Sequence, residues 1–414
     1  MACAEACAVS RRAFLAGGAA GLALWSLLPK AALAGTRDPR LLIVVLRGGL
    51  DGLAMVAPVG DPDYAQLRGN IALPASGEGA GLPLDGFFAL NAAMPALHAL
   101  YRRNEALIVH AVHTPYRARS HFDGQDVLES GLAGVAKIDD GWLNRALGGM
   151  PDSGKASPRG LAVGAVVPLT IRGAAPVMSW IPKVNGLPLR DSTIARLMDL
   201  YAQTDPVLAK AFAEGMQIGR VADAAAHPAS QPPAPGPAPA PRTNREFIDT
   251  AQAAARFLSA AEGPRIGVLS YNGWDTHANE GPIKGQLAAR LGGLDGAVDA
   301  LETGMGAAWR DTVVVVVTEF GRTARVNGTA GTDHGMATVA LMIGGAVKGG
   351  RILADWPGLR ETALYEGRDL APTRDLRAVL KGVLRDHLGV PDGALANRVF
   401  PESAATKPLD GLLT

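Results

Sequence analysis

Residues 312–318 read Thr-Val-Val-Val-Val-Val-Thr, and Glu319-Phe320-Gly321-Arg322 follows directly. An unbroken β-branched run of strand length, rather than an alternating one, suits a strand covered on both faces, as in a parallel sheet between helices. Leu41-Leu42-Ile43-Val44-Val45-Leu46 has the same grammar and ends in the glycine-rich turn Arg47-Gly48-Gly49-Leu50-Asp51-Gly52. Residues 106–111, 265–270 and 339–343 repeat it, and the helix-like stretches 94–103, 122–130, 244–260 and 286–301 lie between. Strands alternating with amphipathic helices predict a layered α/β sandwich around a central, mostly parallel sheet.

In such sheets ligands bind at the carboxyl ends of the strands, where the loops converge. Glu319 is delivered to that edge by the valine strand, with Arg322 placed to pair with it or to hold an anion. Asp51 follows the first strand, either as a metal ligand or as a turn aspartate bonded to its own backbone. In Trp274-Asp275-Thr276-His277 the Asp and His stand two residues apart, so in extended chain they project to one side and can share a divalent ion. Asp333 and His334 lie between Gly331 and Gly335, either as a ligand and the partner that fixes its tautomer or as a glycine-rich surface turn.

The loop Pro115-Tyr116-Arg117-Ala118-Arg119-Ser120-His121-Phe122-Asp123-Gly124 runs into a predicted helix. Ser120 reads as its N-cap, with Asp123 three residues on, close to a capping box. A hydroxyl at a helix N-terminus beside Arg117 and Arg119 equally suits an attacking oxygen and a bound anion. His113 is near enough in sequence to reach the same loop.

Ser10-Arg11-Arg12-Ala13-Phe14-Leu15, followed by an apolar run to Leu28, resembles a twin-arginine export signal. The run falls short of the roughly 20 residues of a spanning helix, and Ala32-Leu33-Ala34 offers a cleavage site. The expectation is a signal over residues 1–34, passage through the twin-arginine translocase, and a mature domain over 35–414 in a bacterial periplasm. An uncleaved amino-terminal anchor is the alternative. Cys3 and Cys7 both lie in the signal, so metal binding in the mature chain falls to His and carboxylates. The mature chain would carry 37 basic and 38 acidic residues, which argues against a general affinity for nucleic acid or anionic lipid. Residues 152–226 are expected to form a partly helical cap or insertion. The Pro/Ala-rich run 227–241 reads as an extended surface excursion, or alternatively as a linker.

Six strings carry a resemblance: LRGGLDGLAMVAP (46–58), ARSHFDGQDVLESG (118–131), GWDTH (273–277), TEFGRT (318–323), GTDHG (331–335) and GGAVKGGRILADWP (344–357). On these the chain resembles the DUF1501 family of exported, twin-arginine-signalled proteins. That family in turn resembles the alkaline phosphatase and sulfatase superfamily. The second resemblance implies a mixed α/β sandwich, one or two divalent metals, and a Ser, Thr or formylglycine nucleophile at the start of a helix. By it, Asp51 corresponds to the ligand after the first strand and Ser120 falls near the nucleophile. Asp275 and His277 are like an Asp-x-x-x-His pair with shorter spacing. Glu319 stands where an Asp-His-Gly usually follows the buried strand, without its His, and Asp333 and His334 would supply the last ligands.

The resulting expectation is a metal-dependent hydrolase or transferase of phosphate, sulfate or related esters. Asp51, Asp275, His277, Glu319, Asp333 and His334 would bind the metal, Ser120 would attack, and His121 or His113 would move the proton. Arg117, Arg119 or Arg322 would stabilise charge. Zn and Mn are favoured by the histidines, with Ca and Mg also compatible. Two other readings stand beside it: a catalytically inactive binding or assembly protein, which the missing His after Glu319 favours, and a purely structural metal.

Overall fold

The structure is a computed structural model that describes residues 37–150, 159–164, 166–180 and 242–414. The expected signal, the Pro/Ala-rich run and most of the expected cap lie outside the described residues. Residues Pro39–Thr414 form one compact unit. Its main sheet is built from β1 (Arg40–Arg47), β2 (Ala106–His113), β3 (Gly160–Val163), β4 (Val177–Trp180), β5 (Ile266–Asn272), β6 (Thr312–Thr318), β7 (Thr338–Ile343), β8 (Arg351–Leu353) and β9 (Arg374–Asp375). The order is β8-β2-β7-β6-β1-β5-β3-β4, with β9 also paired to β2. Every pairing is parallel except those of β7, which runs antiparallel to both β2 and β6.

Double-sided burial explains the continuous apolar runs. Along β1, Leu42, Val44 and Leu46 enter one core, and Leu41, Ile43 and Val45 enter the other. In β6, Val314 and Val316 face the first core while Val313, Val315 and Val317 face the second. The first core is closed by α1 (Pro95–Arg102), α3 (Arg242–Ser259) and α4 (Gln286–Met305), through residues such as Leu97, Phe257 and Leu294. The second is closed by α5 (Leu376–Leu388), Trp142 and Phe400. Helices thus cover both faces of the sheet, giving the layered α/β sandwich.

Parallel register places the loops. Leu46 of β1 stands opposite Thr318 of β6, and Arg47 opposite Asn272 of β5. Gly48, Glu319 and Gly273 therefore leave the sheet at one level. β2 runs in the same sense, because it is antiparallel to β7, which is antiparallel to β6. Its exit at His113, and the entry of β7 at Thr338, share that edge. From there the chain reaches α2 (His121–Ser130).

One expectation is corrected here. Within the expected cap, residues 160–163 and 177–180 are strands β3 and β4 of the central sheet, parallel to β5. Each is only four residues long, so neither has the extended apolar run that marked the others. Among the described residues no helix is long and apolar enough to cross a membrane.

Candidate metal centre

Tight backbone approach assembles the centre. Gly48, at φ +122°, leaves so little room that a Cβ there would lie 2.6 Å from the amide nitrogen of Asp275. A Cβ on Gly331 would lie 2.3 Å from the carbonyl oxygen of His277. Only glycine lets the β1 exit and the loop ahead of β7 close onto the loop after β5. Trp274, fully buried, anchors that loop and donates its indole N–H to Tyr271 O at 3.0 Å. The neighbouring residue, Asp275, is left at the rim.

Three imidazoles meet Asp275. Its Oδ1 lies 3.3 Å from His121 Nε2, 3.0 Å from His277 Nε2 and 3.2 Å from His334 Nε2. His277 Nε2 and His334 Nε2 are 3.0 Å apart. Among the described residues, His121, Asp275 and His334 offer ligand atoms that all lie within 4.8 Å of one another. His121 Nε2 is buried and makes no hydrogen bond among the described residues, with the Asp275 carboxylate as its charged neighbour.

Each imidazole is oriented from behind by an acceptor on Nδ1. Glu319 Oε1 takes His121 Nδ1 at 2.8 Å, Asp333 Oδ1 takes His277 Nδ1 at 3.1 Å, and Arg119 O takes His334 Nδ1 at 2.8 Å. With Nδ1–H donating in each case, all three Nε2 lone pairs point inward. This is the arrangement that fixes metal-binding histidines in one tautomer. Arg119 adopts φ +61°, uncommon for a side-chain-bearing residue, and that local twist accompanies the aim of its carbonyl at His334.

Electrostatics follow the same logic. The hydrogen bond that His121 donates to Glu319 raises the imidazole pKa above its ordinary value, against the opposing effect of burial. Burial lowers the pKa of His334. Burial opposes ionisation of Asp275, but the bond and charge of Arg322 prevail and hold its pKa below the usual carboxylate range. Arg322 Nη1 donates to Asp275 Oδ1 at 2.6 Å.

Several expected site residues have other places. Asp51 is 1% exposed and caps a short helix, Gly52–Met55, by accepting from the amides of Leu53 and Ala54. Its other oxygen pairs with the buried Arg68. A carboxylate so committed is a structural cap, and it stands outside the convergence of histidines. Glu319 and Asp333 lie behind His121 and His277 rather than at the convergence point, and Asp333 orients His277, not its sequence neighbour His334. Glu319 is saturated: Oε1 also accepts from Gly48 N at 2.9 Å and Gln125 Nε2 at 3.1 Å, and Oε2 from Thr318 Oγ1 at 2.8 Å.

Arg322 pairs with Asp275 rather than Glu319, and its remaining nitrogens bond Thr332. The Arg119 guanidinium is turned away into ion pairs with Asp369 and Glu366, so only its carbonyl serves the centre. His113 and Arg117 bond each other and Thr114 O. Ser120 precedes α2, yet its hydroxyl makes no capping bond. Asp123 Oδ2 accepts from Tyr116 Oη at 3.2 Å.

Sequence reasoning treated His121 as a proton carrier and missed its membership of the cluster. Its position as the first residue of a helix reached from a buried strand was the available signal. Gln125, one turn further on, carried no signal of its own.

The donor set, three imidazole nitrogens and a carboxylate, fits a divalent metal. Fold and site together define a layered α/β protein with a His/Asp cluster at the carboxyl edge of its sheet. The chain belongs to the family described as Protein of unknown function (DUF1501), whose model matches residues 103–394. No curated protein matches the chain. Among solved structures it is similar to a 2-O GAG sulfatase, at 12% identity over 76% of this chain and 66% of that one, with a TM-score of 0.30. It is similar to the phosphonate monoester hydrolase of Agrobacterium radiobacter, at 12% identity over 86% and 74%, with a TM-score of 0.37. It is also similar to a protein in the alkaline phosphatase superfamily from Vibrio parahaemolyticus, at 11% identity over 76% and 62%, with a TM-score of 0.33. The chain spans less than two thirds of the length of the first and third of these.

Proposed function

We propose that this protein is an exported, metal-dependent hydrolase or transferase acting on small anionic phosphate, sulfate or related esters. The observation that carries the reading is the convergence of three Nε2 atoms on Asp275 Oδ1, each imidazole tied back through Nδ1. His121, His277, His334 and Asp275 would hold the ion, with Zn or Mn favoured by the imidazoles. A bound divalent ion supplies Lewis-acid polarisation of an ester oxygen and acidifies an attacking hydroxyl or water.

The chain's own groups do the rest. Ser120, with a hydroxyl left out of capping, is the candidate nucleophile at the amino end of α2. With no capping bond from Ser120, the amino end of α2 favours an anion beside it. Arg322 keeps Asp275 ionised and fixed, and Glu319 keeps His121 in its Nδ1–H tautomer. The Arg11-Arg12 pattern and the apolar run behind it support export through the twin-arginine translocase to the periplasm.

The test is elemental analysis of protein matured through its own export route, followed by a panel of aryl phosphate and sulfate esters. About one or more tightly held zinc or manganese ions per chain, with ester turnover that chelation abolishes, is the expected result. A well-folded, metal-free protein would refute this reading in favour of a binding protein on the same fold. Metal without turnover would leave a structural ion.

A further inference from the structure

A cavity of about 640 Å³ opens at the same edge of the sheet as the cluster, at the ends of β1, β3 and β5. Its wall includes Arg47 at the end of β1, Asn272 at the end of β5, and Asp126 and Glu129 on α2. It is wired to the metal centre. Arg47 Nη1 donates to Gln125 Oε1 at 2.8 Å, and Gln125 Nε2 donates to the Glu319 oxygen that holds His121. Phe122, 86% exposed, shares a helix face with Asp126 one turn nearer the centre.

The chemistry of the wall selects an occupant. The charges of Arg47 and Arg172 balance those of Asp126 and Glu129, so the cavity does not concentrate anions. Two of the four are already spent: Glu129 pairs with Arg47 at 2.5 Å and accepts from both the amide and the hydroxyl of Thr170. The carboxylate of Asp126 and the side-chain amide of Asn272 have no partner among the described residues. They offer an acceptor and a donor–acceptor pair to a ligand. Val163 and Leu169 line the same cavity and supply apolar wall.

Unspent hydrogen-bonding groups, zero net charge and apolar walls describe a site for a neutral, polyhydroxylated ring. Its hydroxyls bond the polar edge and its C–H faces lie on the apolar one. The volume falls in the usual range for small-ligand sites, roughly 300–1,000 Å³. We infer that this cavity binds the alcohol portion of the ester as a neutral saccharide or polyol, with Asp126 and Asn272 as its hydroxyl-binding residues. The inference rests on the ester reading above for the anionic end and adds the identity of the neutral end.

The experiment uses the full chain with its metal and has two readouts. The first is binding of uncharged probes (methyl glucoside, methyl galactoside, maltose and glycerol), followed by calorimetry and by the fluorescence of a Val166→Trp reporter on the cavity wall. At least one probe is expected to bind, and Asp126→Ala or Asn272→Ala to weaken it on the order of tenfold. The second is the ratio of kcat/KM for a sugar ester to that for a 4-nitrophenyl ester, which each variant should lower by a similar factor. Binding of the probes without any ester cleavage would sink the ester reading and support the cavity assignment. Ester cleavage with no probe binding and an unmoved ratio would overturn the assignment, as would a cavity that takes inorganic sulfate or phosphate in preference to the neutral probes.

Discussion

Glu319 Oε1 accepts the Nδ1 proton of His121 across 198 residues of sequence, at 2.8 Å, and turns the other nitrogen of that ring toward Asp275. The carboxylate thus acts through the imidazole, as an orienting group. Losing such a partner typically costs 10–100-fold in metal affinity. Glu319→Gln is expected to weaken metal binding by about that factor in a chelator competition while the protein stays folded. Unchanged affinity would remove Glu319 from the centre.

Asp275 and His334 are predicted to separate metal binding from folding. His334→Ala removes a partly exposed ring and should abolish tight metal retention at little cost to the melting temperature. Asp275→Ala should abolish it too, but also strands the buried Arg322, which keeps only carbonyl and hydroxyl partners. Loss of a hydrogen bond to a charged group costs about 1.5–3 kcal/mol, and the partial exposure of Asp275 places this case toward the low end. Metal content and thermal unfolding of the two variants check the ordering. Normal metal content in both would mean that the ion, if present, is held elsewhere.

The sheet was legible because its central strands are buried on both faces, and burial of that kind writes itself as unbroken Val, Leu and Ile. The valine strand and the run before Gly48 both lie within a residue or two of their observed limits. The flanking strands β3 and β4 were not legible, since four residues beside Gly and Ser leave no such run. At the centre, Asp275 and His277 could be paired by spacing alone, because their relation is local. The relation of Asp51 to Arg68 and that of Glu319 to His121 depend on tertiary contact, and no local pattern tells a liganding carboxylate from one that caps a helix or orients a ring.

Burial makes His110 a source of acid sensitivity. The ring is fully buried, Nε2 donates to Val56 O at 3.0 Å and Nδ1 accepts from the Ala111 amide at 2.8 Å, so the neutral form is the one the fold accommodates. Burial pushes its pKa down from 6.5 to about 4. Between those values the unfolded chain binds a proton that the native chain refuses, so stability falls as pH drops from about 6.5 to about 4 and this loss then levels off. At one pKa unit per 1.36 kcal/mol, the full loss is about 3 kcal/mol. Urea unfolding of the wild type and His110→Gln across this range should give a difference that varies with pH. A constant difference would mean that the ring titrates normally.

Glu280 carries the opposite dependence. It is fully buried, Oε2 accepts from Thr332 Oγ1 at 3.1 Å, and it faces Asp51, whose own charge is paired with Arg68. Burial, reinforced by the negative charge of Asp51, raises its pKa well above 4.5. The folded chain therefore keeps a proton that the unfolded chain has released, and the associated stability is complete below about pH 4.5 and is lost as pH rises toward the folded value. Glu280→Gln reproduces the shape of the protonated acid without the cost of acquiring the proton. The variant should match the wild type below pH 4.5 and exceed it in thermal and urea stability at pH 7.5. Glu280→Ala should be the least stable of the three at both pH values, because it leaves a cavity and removes the partner of Thr332. A glutamine variant that is less stable than the wild type at pH 7.5 would show Glu280 to be ionised in the native protein, with Arg68 neutralising two carboxylates rather than one.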